Sequence, residues 1–273
     1  MLSEKPLEQK DRKPRRDAGI PRMQDRDIQA LRWIGEQGAA SVDHLRDLLG
    51  RMSEWETDEP GRLSVTRVRH IIEDRWEPAQ MVSVENILGK KWVWLTRRAM
   101  NRVALPFSHN RPADITINHL DSINRVRLYQ EKLYWSKKLP GSWESTRMIE
   151  RSRKEWAALK KDDPMVYVPR HYATWHMPDG IWTYRNKDHT EDHVVFIEVE
   201  VSSKGLERTQ RIFLDLARHG TTWYYVDLSP KKKHLFATLM QALESLDKRH
   251  GHRSRFYFYD LNNPNKLVYH SED

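Results

Sequence analysis

The most constraining stretch of the sequence is an apolar run from Val194 to Ser202 that carries two glutamates, Glu198 and Glu200. Side chains alternate between the two faces of an extended strand, so the two glutamates share one face with Phe196. The opposite face is aliphatic and consists of Val195, Ile197, Val199 and Val201. Two carboxylates on a mostly apolar strand are costly to bury unless a partner or a metal neutralises them. The run therefore predicts a strand with a charged site on one face.

A third carboxylate and a lysine complete this candidate site. Asp179 lies in the segment Pro178-Asp179-Gly180, where a preceding strand can bring it alongside the glutamates, and Lys204 follows the run on their face. Carboxylate oxygens suit Mg²⁺ or Mn²⁺, and a neighbouring lysine can orient water or stabilise a developing phosphate charge. The expected metal ligands are therefore Asp179, Glu198 and Glu200, and the expected catalytic residues are these three with Lys204. The alternative interpretation is a solvated strand face.

These residues resemble the PD-(D/E)XK nuclease pattern, with Pro178-Asp179 as its first half and Glu198-Val199-Glu200 as its second half. In that family the lysine follows the second acid by two residues, where this chain has Glu200; the nearby lysine is Lys204. The resemblance implies a restriction-endonuclease-like αβββαβ domain. Such folds often take a further acid from the first helix, for which the candidate is Glu131, with Glu144 and Glu150 as substitutes.

The second half of the chain, residues 117–273, has a periodicity that agrees with this order. It predicts helix, strand, strand, strand, helix, strand, helix and strand, which is an α/β or mixed arrangement. A strand is expected near Trp143 to Ile149, a β-rich segment from Met165 to Trp182, and an amphipathic helix from Leu206 to His219 that Gly220 stops.

Residues 23–105 predict a winged helix-turn-helix domain. One helix begins at Asp25 and ends at Gly38, Ser41 and Ser64 are expected N-caps of two more, and a hairpin with a turn at Gly89-Lys90 follows. The third helix is the natural reader of a DNA groove, and the wing tip can reach phosphate. The expected DNA-binding residues are Thr66, Arg67, Arg69, His70, Lys90 and Lys91. Protein contact by the same domain is the alternative.

Composition narrows the class of protein. The 273 residues carry a formal net charge of +8, which favours a polyanionic partner, and the absence of cysteine excludes disulfides and cysteine-ligated zinc. No apolar run approaches the roughly 18 to 20 residues that span a membrane, and no apolar signal core precedes the first helix. A cytoplasmic protein without membrane contact is expected, with residues 1–22 as a flexible basic arm and residues 106–116 as a linker.

Residues 25–230 as a whole resemble the replication-relaxation family of actinobacterial plasmids and integrative elements. The resemblance rests on the winged helix, the helix INHLDSINRVRLYQEKL, and the combination of Asp179, Glu198, Glu200 and Lys204. It implies a role in plasmid replication, relaxation or mobilisation, with double-stranded DNA and replication or mobilisation proteins as partners. The predicted function is a mobile-element or defence protein that cleaves or nicks DNA with Mg²⁺ or Mn²⁺. The alternative is a non-catalytic DNA-binding accessory or regulatory protein.

Overall fold

The computed structural model describes residues 23–53, 61–137, 139–185, 191–250 and 255–270. Within these ranges the chain is mixed α/β, with eight α-helices, a three-stranded sheet and a six-stranded sheet. The expected basic arm, residues 1–22, lies outside the described residues. Over the same ranges, no helix combines the length and the apolar character that crossing a membrane requires.

Three helices open the described chain: α1 (Asp25–Gln37), α2 (Val42–Ser53) and α3 (Val65–Ile71). The residues predicted to end α1 and to cap α3 make the expected hydrogen bonds. The amide of Gly38 donates to the Ile34 carbonyl at 2.8 Å and closes α1, and the hydroxyl of Ser64 accepts from the Arg67 amide at 3.2 Å and caps α3. The buried faces of the three helices meet in one apolar core, together with residues of the first sheet.

The first sheet has the strand order β1-β3-β2, from β1 (Ala40–Ser41), β2 (Val82–Ile87) and β3 (Lys90–Leu95). The turn between β2 and β3 is Leu88-Gly89, one residue earlier than the predicted Gly89-Lys90. Lys90 belongs to the strand because it pairs with Ile87, and Gly89 takes the positive φ of 79° that the turn needs. A short helix, α4 (Arg97–Arg102), follows and is capped by Thr96.

Helix α5 (Asp114–Ser136) starts inside the predicted linker and joins the two halves of the molecule. Its Leu128 packs into the core of the first three helices, and Ile117 packs with Trp92 and Trp94 of the first sheet. Its Val126 packs instead against the six-stranded sheet. One helix is thus shared between both apolar regions.

The second sheet has the order β4-β5-β6-β7-β8-β9. The β6–β7 and β7–β8 pairs are parallel, and the other neighbours are antiparallel. Its strands are β4 (Gly141–Ser145), β5 (Gly180–Arg185), β6 (Asp192–Glu200), β7 (Thr221–Val226), β8 (Phe256–Asp260) and β9 (Asn263–His270).

Helices cover both faces of this sheet. Helices α7 (Leu206–His219) and α8 (Lys233–His250) pack with Phe196 on one face, and α5 packs with Ile197 on the other. The predicted alternation along β6 is therefore present, because successive residues of this strand enter opposite cores.

Two local predictions need correction, and one strand was not predicted. The strand expected near Trp143 to Ile149 ends at Ser145, where α6 (Thr146–Asp162) begins and turns Ile149 into a buried helical position. The segment from Met165, expected to be β-rich, has a single 3₁₀ turn at Arg170–Tyr172, and strand structure starts only at Gly180. Strand β9 was not predicted, because Pro264 and two asparagines weaken its strand pattern.

Candidate carboxylate–lysine site

The topology brings the four expected site residues together at one end of β5 and β6. Asp179 immediately precedes β5, Glu198 and Glu200 lie at the end of β6, and Lys204 lies in the loop before α7. Gly180 pairs with Ile197, so Asp179 lies beside the glutamate-bearing end of β6, and its Oδ2 accepts from the Val199 amide at 2.8 Å. We call Asp179, Glu198, Glu200 and Lys204 the site cluster.

Lys204 is the cation shared by the two glutamates. Its Nζ lies 3.0 Å from Glu200 Oε2 and 4.0 Å from Glu198 Oε2. Burial lowers the pKa of Lys204, but the charges of Glu198, Glu200 and Asp179 outweigh it, so the pKa rises above its ordinary value. Burial raises the pKa of Glu200, and Lys204 offsets only part of that rise. The ammonium therefore remains charged while Glu200 is held in an environment that disfavours its charge.

Glu198 is the most deeply buried member of the cluster, and it contacts His176, which precedes Asp179 by three residues in the sequence. Its side chain is 2% exposed, and its Oε1 lies 2.9 Å from His176 Nε2. The backbone of His176 is fixed on both sides, because its amide donates to Asp215 Oδ2 at 2.9 Å and its carbonyl accepts from Arg153 at 2.8 Å. His176 is therefore a positioned group rather than a loose surface side chain.

A second histidine reaches the cluster from helix α5. His119 Nε2 lies 3.0 Å from Asp179 Oδ1. Burial lowers the pKa of His119, but its close contact with the negatively charged Asp179 carboxylate outweighs that effect, so the net shift is upward. No local sequence pattern signals this contact, since most of α5, all of β4 and all of α6 separate His119 from Asp179.

Tyr224 closes the buried side of the cluster. It pairs with Glu198 in the β6–β7 register, and its ring stacks on Phe258 with centroids 5.3 Å apart. Burial, followed by the charges of Glu198, Glu200 and Asp179, raises the pKa of Tyr224 well above its ordinary value. The phenol therefore stays neutral and adds no negative charge to the three carboxylates.

The cluster has the donor chemistry of a Mg²⁺ site. Three carboxylates face one lysine, and hard oxygen ligands of this type are those that Mg²⁺ and Mn²⁺ prefer. Among the described residues, however, no group of three or more His, Asp or Glu side chains is already arranged around a common metal position. The carboxylate oxygens contact Lys204, His119, His176 and a backbone amide instead. The residues fit the ion by type, and binding would require these internal contacts to be exchanged.

The three candidates for a further acid lie elsewhere. Glu131 binds Arg51 at 2.6 Å and Arg127 at 2.8 Å, Glu144 accepts from the Tyr172 hydroxyl at 2.8 Å, and Glu150 binds Lys154 at 2.7 Å. Burial raises the pKa of Glu131, but the effect of the two arginines is larger, so the pKa falls below its ordinary value. Glu131 is therefore a firmly paired carboxylate. Helix α5 supplies His119 to the site cluster, whereas Glu131, also on α5, belongs to a separate ion-pair network.

The six expected DNA-binding residues fall into two groups. Four lie exposed on or at the end of α3: Thr66, Arg67, Arg69 and His70. The other two, Lys90 and Lys91, lie on β3 and have acidic partners, since Lys90 Nζ lies 2.9 Å from Asp121 and Lys91 Nζ lies 2.9 Å from Glu73. His70 also has an acidic neighbour, since its Nδ1 lies 3.0 Å from Asp74 Oδ2. Arg67 and Arg69 are therefore the exposed basic residues of α3, and α4 adds further exposed arginines.

Comparisons with known proteins add no further constraint. Neither the family models nor the curated proteins contain a match to the chain. The functional argument therefore depends on the geometry and the charge of the site itself.

Proposed function

We propose that this chain is a DNA-binding protein whose second half cleaves or nicks DNA with Mg²⁺ or Mn²⁺. In this proposal residues 23–105 act as a winged helix-turn-helix, and residues 117–273 act as a restriction-endonuclease-like domain. The observation that supports it most is the site cluster: three carboxylates at one end of β5 and β6, two of which contact the Lys204 ammonium.

The charge balance of the site cluster favours a bound cation. Asp179, Glu198 and Glu200 contribute three negative charges and Lys204 contributes one positive charge, which leaves −2 while the two histidines are neutral. Buried carboxylates that lack full compensation are costly. A divalent ion would remove that excess, and when bound it activates water and stabilises the leaving oxygen of a phosphodiester.

The protein side chains have distinct parts in this proposal. Asp179 and Glu198, with Glu200, hold the cation, and Lys204 stabilises the negative charge that develops on the phosphate. His176 orients Glu198 through the 2.9 Å contact. These assignments make Asp179, Glu198, Glu200 and Lys204 the catalytic residues of the proposed nuclease.

DNA binding is supported by the exposed basic face of α3 and by the net charge of +8. Arg67 and Arg69 are free to face a groove, and the ion-paired wing lysines contribute less. The resemblance to the replication-relaxation family implies a protein of a plasmid or integrative element, with replication or mobilisation proteins as partners.

A second function is favoured by one specific observation. Every carboxylate of the site cluster already has an internal partner, and Lys204 bridges the two glutamates. A non-catalytic accessory protein would use the same contacts as a structural element, with DNA binding alone as its activity.

Plasmid cleavage distinguishes the two functions. We expect the wild type to nick or linearise supercoiled plasmid with Mg²⁺ or Mn²⁺ and to be inactive in EDTA. Asp179→Asn and Glu198→Gln should each reduce the rate by about 100-fold or more, because each removes a charge from the proposed metal site. Glu207→Gln is the matched control, since Glu207 is an exposed carboxylate in the first turn of α7.

Retention of cleavage in both site variants would refute the site. A wild type that binds duplex DNA and cleaves nothing with either metal would establish the accessory function in its place.

A further inference from the structure

An exposed aromatic segment lies directly beside the site cluster. Residues 163–177 connect α6 to Asp179 and β5, and they include three exposed large apolar side chains: Met165 (89% exposed), Tyr167 (74%) and Trp175 (61%). The other described tryptophans are buried or half-buried. Large apolar side chains exposed together beside a polar site mark an interaction surface.

The ring of His176 lies between Trp175 and the buried carboxylate of Glu198. Its indole meets the His176 imidazole edge-on, with ring centroids 5.9 Å apart. The same imidazole lies 2.9 Å from Glu198 Oε1. A molecule stacked on Trp175 would therefore lie next to the site cluster.

The exposure of Trp175 is imposed by rigid neighbours. Thr174, immediately before it, is 4% exposed and accepts a hydrogen bond from Arg153. His176, immediately after it, is held by Asp215 of α7 and by the same Arg153. Both flanking residues are fixed, so the indole is presented to solvent from an ordered backbone, as a preformed binding platform requires.

The surroundings of the segment are basic. Residues 146–176 contain seven basic and four acidic residues, a difference of +3. The basic residues are Arg147, Arg151, Arg153, Lys154, Lys160, Lys161 and Arg170, and the acidic residues are Glu150, Glu155, Asp162 and Asp163. Arg151 and Lys154 of this set are paired with Glu155 and Glu150, whereas Lys160, Lys161 and Arg170 are exposed. Exposed aromatic side chains together with exposed cations are the combination that binds single-stranded nucleic acid, where bases stack and cations follow the backbone.

We propose that Trp175 is a stacking platform for an unpaired DNA base, so that the site cluster acts on single-stranded or locally opened DNA. This inference rests on the proposed nuclease function and specifies its substrate. Bases within a continuous duplex have both faces covered by their neighbours, whereas an unpaired base offers a free face to an indole. The exposed face of α3 would hold the duplex, while Trp175 would select the open strand.

The test is DNA binding measured in EDTA, where cleavage cannot contribute. Fluorescence anisotropy would compare a labelled single strand of about 16 nucleotides with the duplex of the same sequence. Trp175→Ala should weaken single-strand binding about 5-fold or more, as expected for one lost base–aromatic stack, and should change duplex binding less than about 2-fold. Trp175→Phe keeps an aromatic face and should retain most of the affinity.

Ile115→Ala is the matched control, because Ile115 is an exposed apolar side chain on α5 (92% exposed). Unchanged single-strand affinity in Trp175→Ala would overturn the proposal and point to a protein partner for this surface. An equal loss on single strand and duplex would also overturn it. Failure of plasmid cleavage alone would refute the nuclease and leave this strand preference measurable, so the two proposals fail separately.

Discussion

Two buried acidic clusters in this molecule are neutralised in different ways. The first, which we call the arginine cluster, contains Glu36, Arg51, Arg127 and Glu131 and joins α1, α2 and α5. Arg127 binds Glu36 at 2.8 Å and Glu131 at 2.8 Å, and its guanidinium lies 4.7 Å from the centre of the Trp33 ring. The site cluster has three carboxylates and, as its permanent cation, only Lys204.

The difference indicates which cluster is structural and which can exchange partners. Arginine is always charged and binds carboxylates through a rigid fork, so the arginine cluster is internally balanced and geometrically fixed. The site cluster depends on one flexible ammonium and on contacts with two histidines, His119 and His176. We interpret the first cluster as a clamp between the two halves and the second as a place for an external cation.

The largest expected effect comes from breaking the arginine cluster. Arg127→Met removes the donors to Glu36, Glu131 and Gln37 and leaves buried carboxylates with fewer partners. Removing one partner of a buried ion pair is strongly destabilising. We expect the free energy of unfolding to fall by about 3 kcal/mol, measured by urea denaturation followed by tryptophan fluorescence.

Arg151→Met supplies the control for that measurement. Arg151 forms an exposed ion pair with Glu155 at 2.6 Å, with both side chains about half exposed. Exposed pairs contribute less than about 1 kcal/mol. Equal losses for the two variants would mean that the arginine cluster is not a structural clamp.

An intermediate effect of opposite sign is expected in the site cluster. Burial raises the pKa of Glu200, so its contribution to stability is complete below the ordinary carboxyl pKa and is lost as pH rises through the folded-state value. At neutral pH the charged form of Glu200 therefore destabilises the folded state. Glu200→Gln should raise the free energy of unfolding by on the order of 1 kcal/mol at pH 7, with the gain disappearing on acidification.

Urea denaturation at pH 4 and pH 7 checks this prediction, with Glu207→Gln as an exposed carboxylate control that should change neither value. A loss of stability at pH 7 would show that the Glu200–Lys204 ion pair holds the fold together and that the two clusters resemble each other.

The sequence predicted the elements whose signals are local. Helix α7 runs from Leu206 to His219 as expected, because its apolar spacing and Gly220 define both ends. The strand near Ile149 was wrong because the apolar residues there fit either period. Ile149 packs with Ile181 and Phe196 of the second sheet, and α6 also contacts α1. The Ser145 hydroxyl, which donates to the Glu36 carbonyl at 2.6 Å, is part of that long-range contact.

The site residues divide in the same way, into those that the local sequence pattern predicts and those that depend on long-range contacts. The period of two along β6 was sufficient to place Glu198 and Glu200 on one face and to bring Lys204 near them. The partners from elsewhere in the chain were not accessible, because the register of α5 decides that His119 faces Asp179 while Glu131 faces Arg51. Choosing Glu131 as a further site acid failed for this reason, since a helix alone does not reveal which tertiary neighbour each turn meets.

The smallest expected effect is a titration that sharpens the contrast between the two regions. Burial lowers the pKa of His44, in the first half of the molecule, to about 4, whereas Asp179 overcomes burial and raises the pKa of His119 above 6.5. In Asp179→Asn, burial remains and the carboxylate is gone, so the pKa of His119 should fall below 6.5 while that of His44 stays at about 4. Imidazole proton shifts in NMR titrations would report both values.

The same contact predicts a pH dependence of stability. Because the pKa of His119 is raised in the folded state, the stabilisation is complete below about 6.5 and is lost as pH rises through the higher folded value. The stability difference between wild type and Asp179→Asn should therefore shrink above pH 6.5. A His119 pKa that does not respond to Asp179→Asn would separate α5 from the site cluster, whose carboxylates would then be balanced by Lys204 with His176.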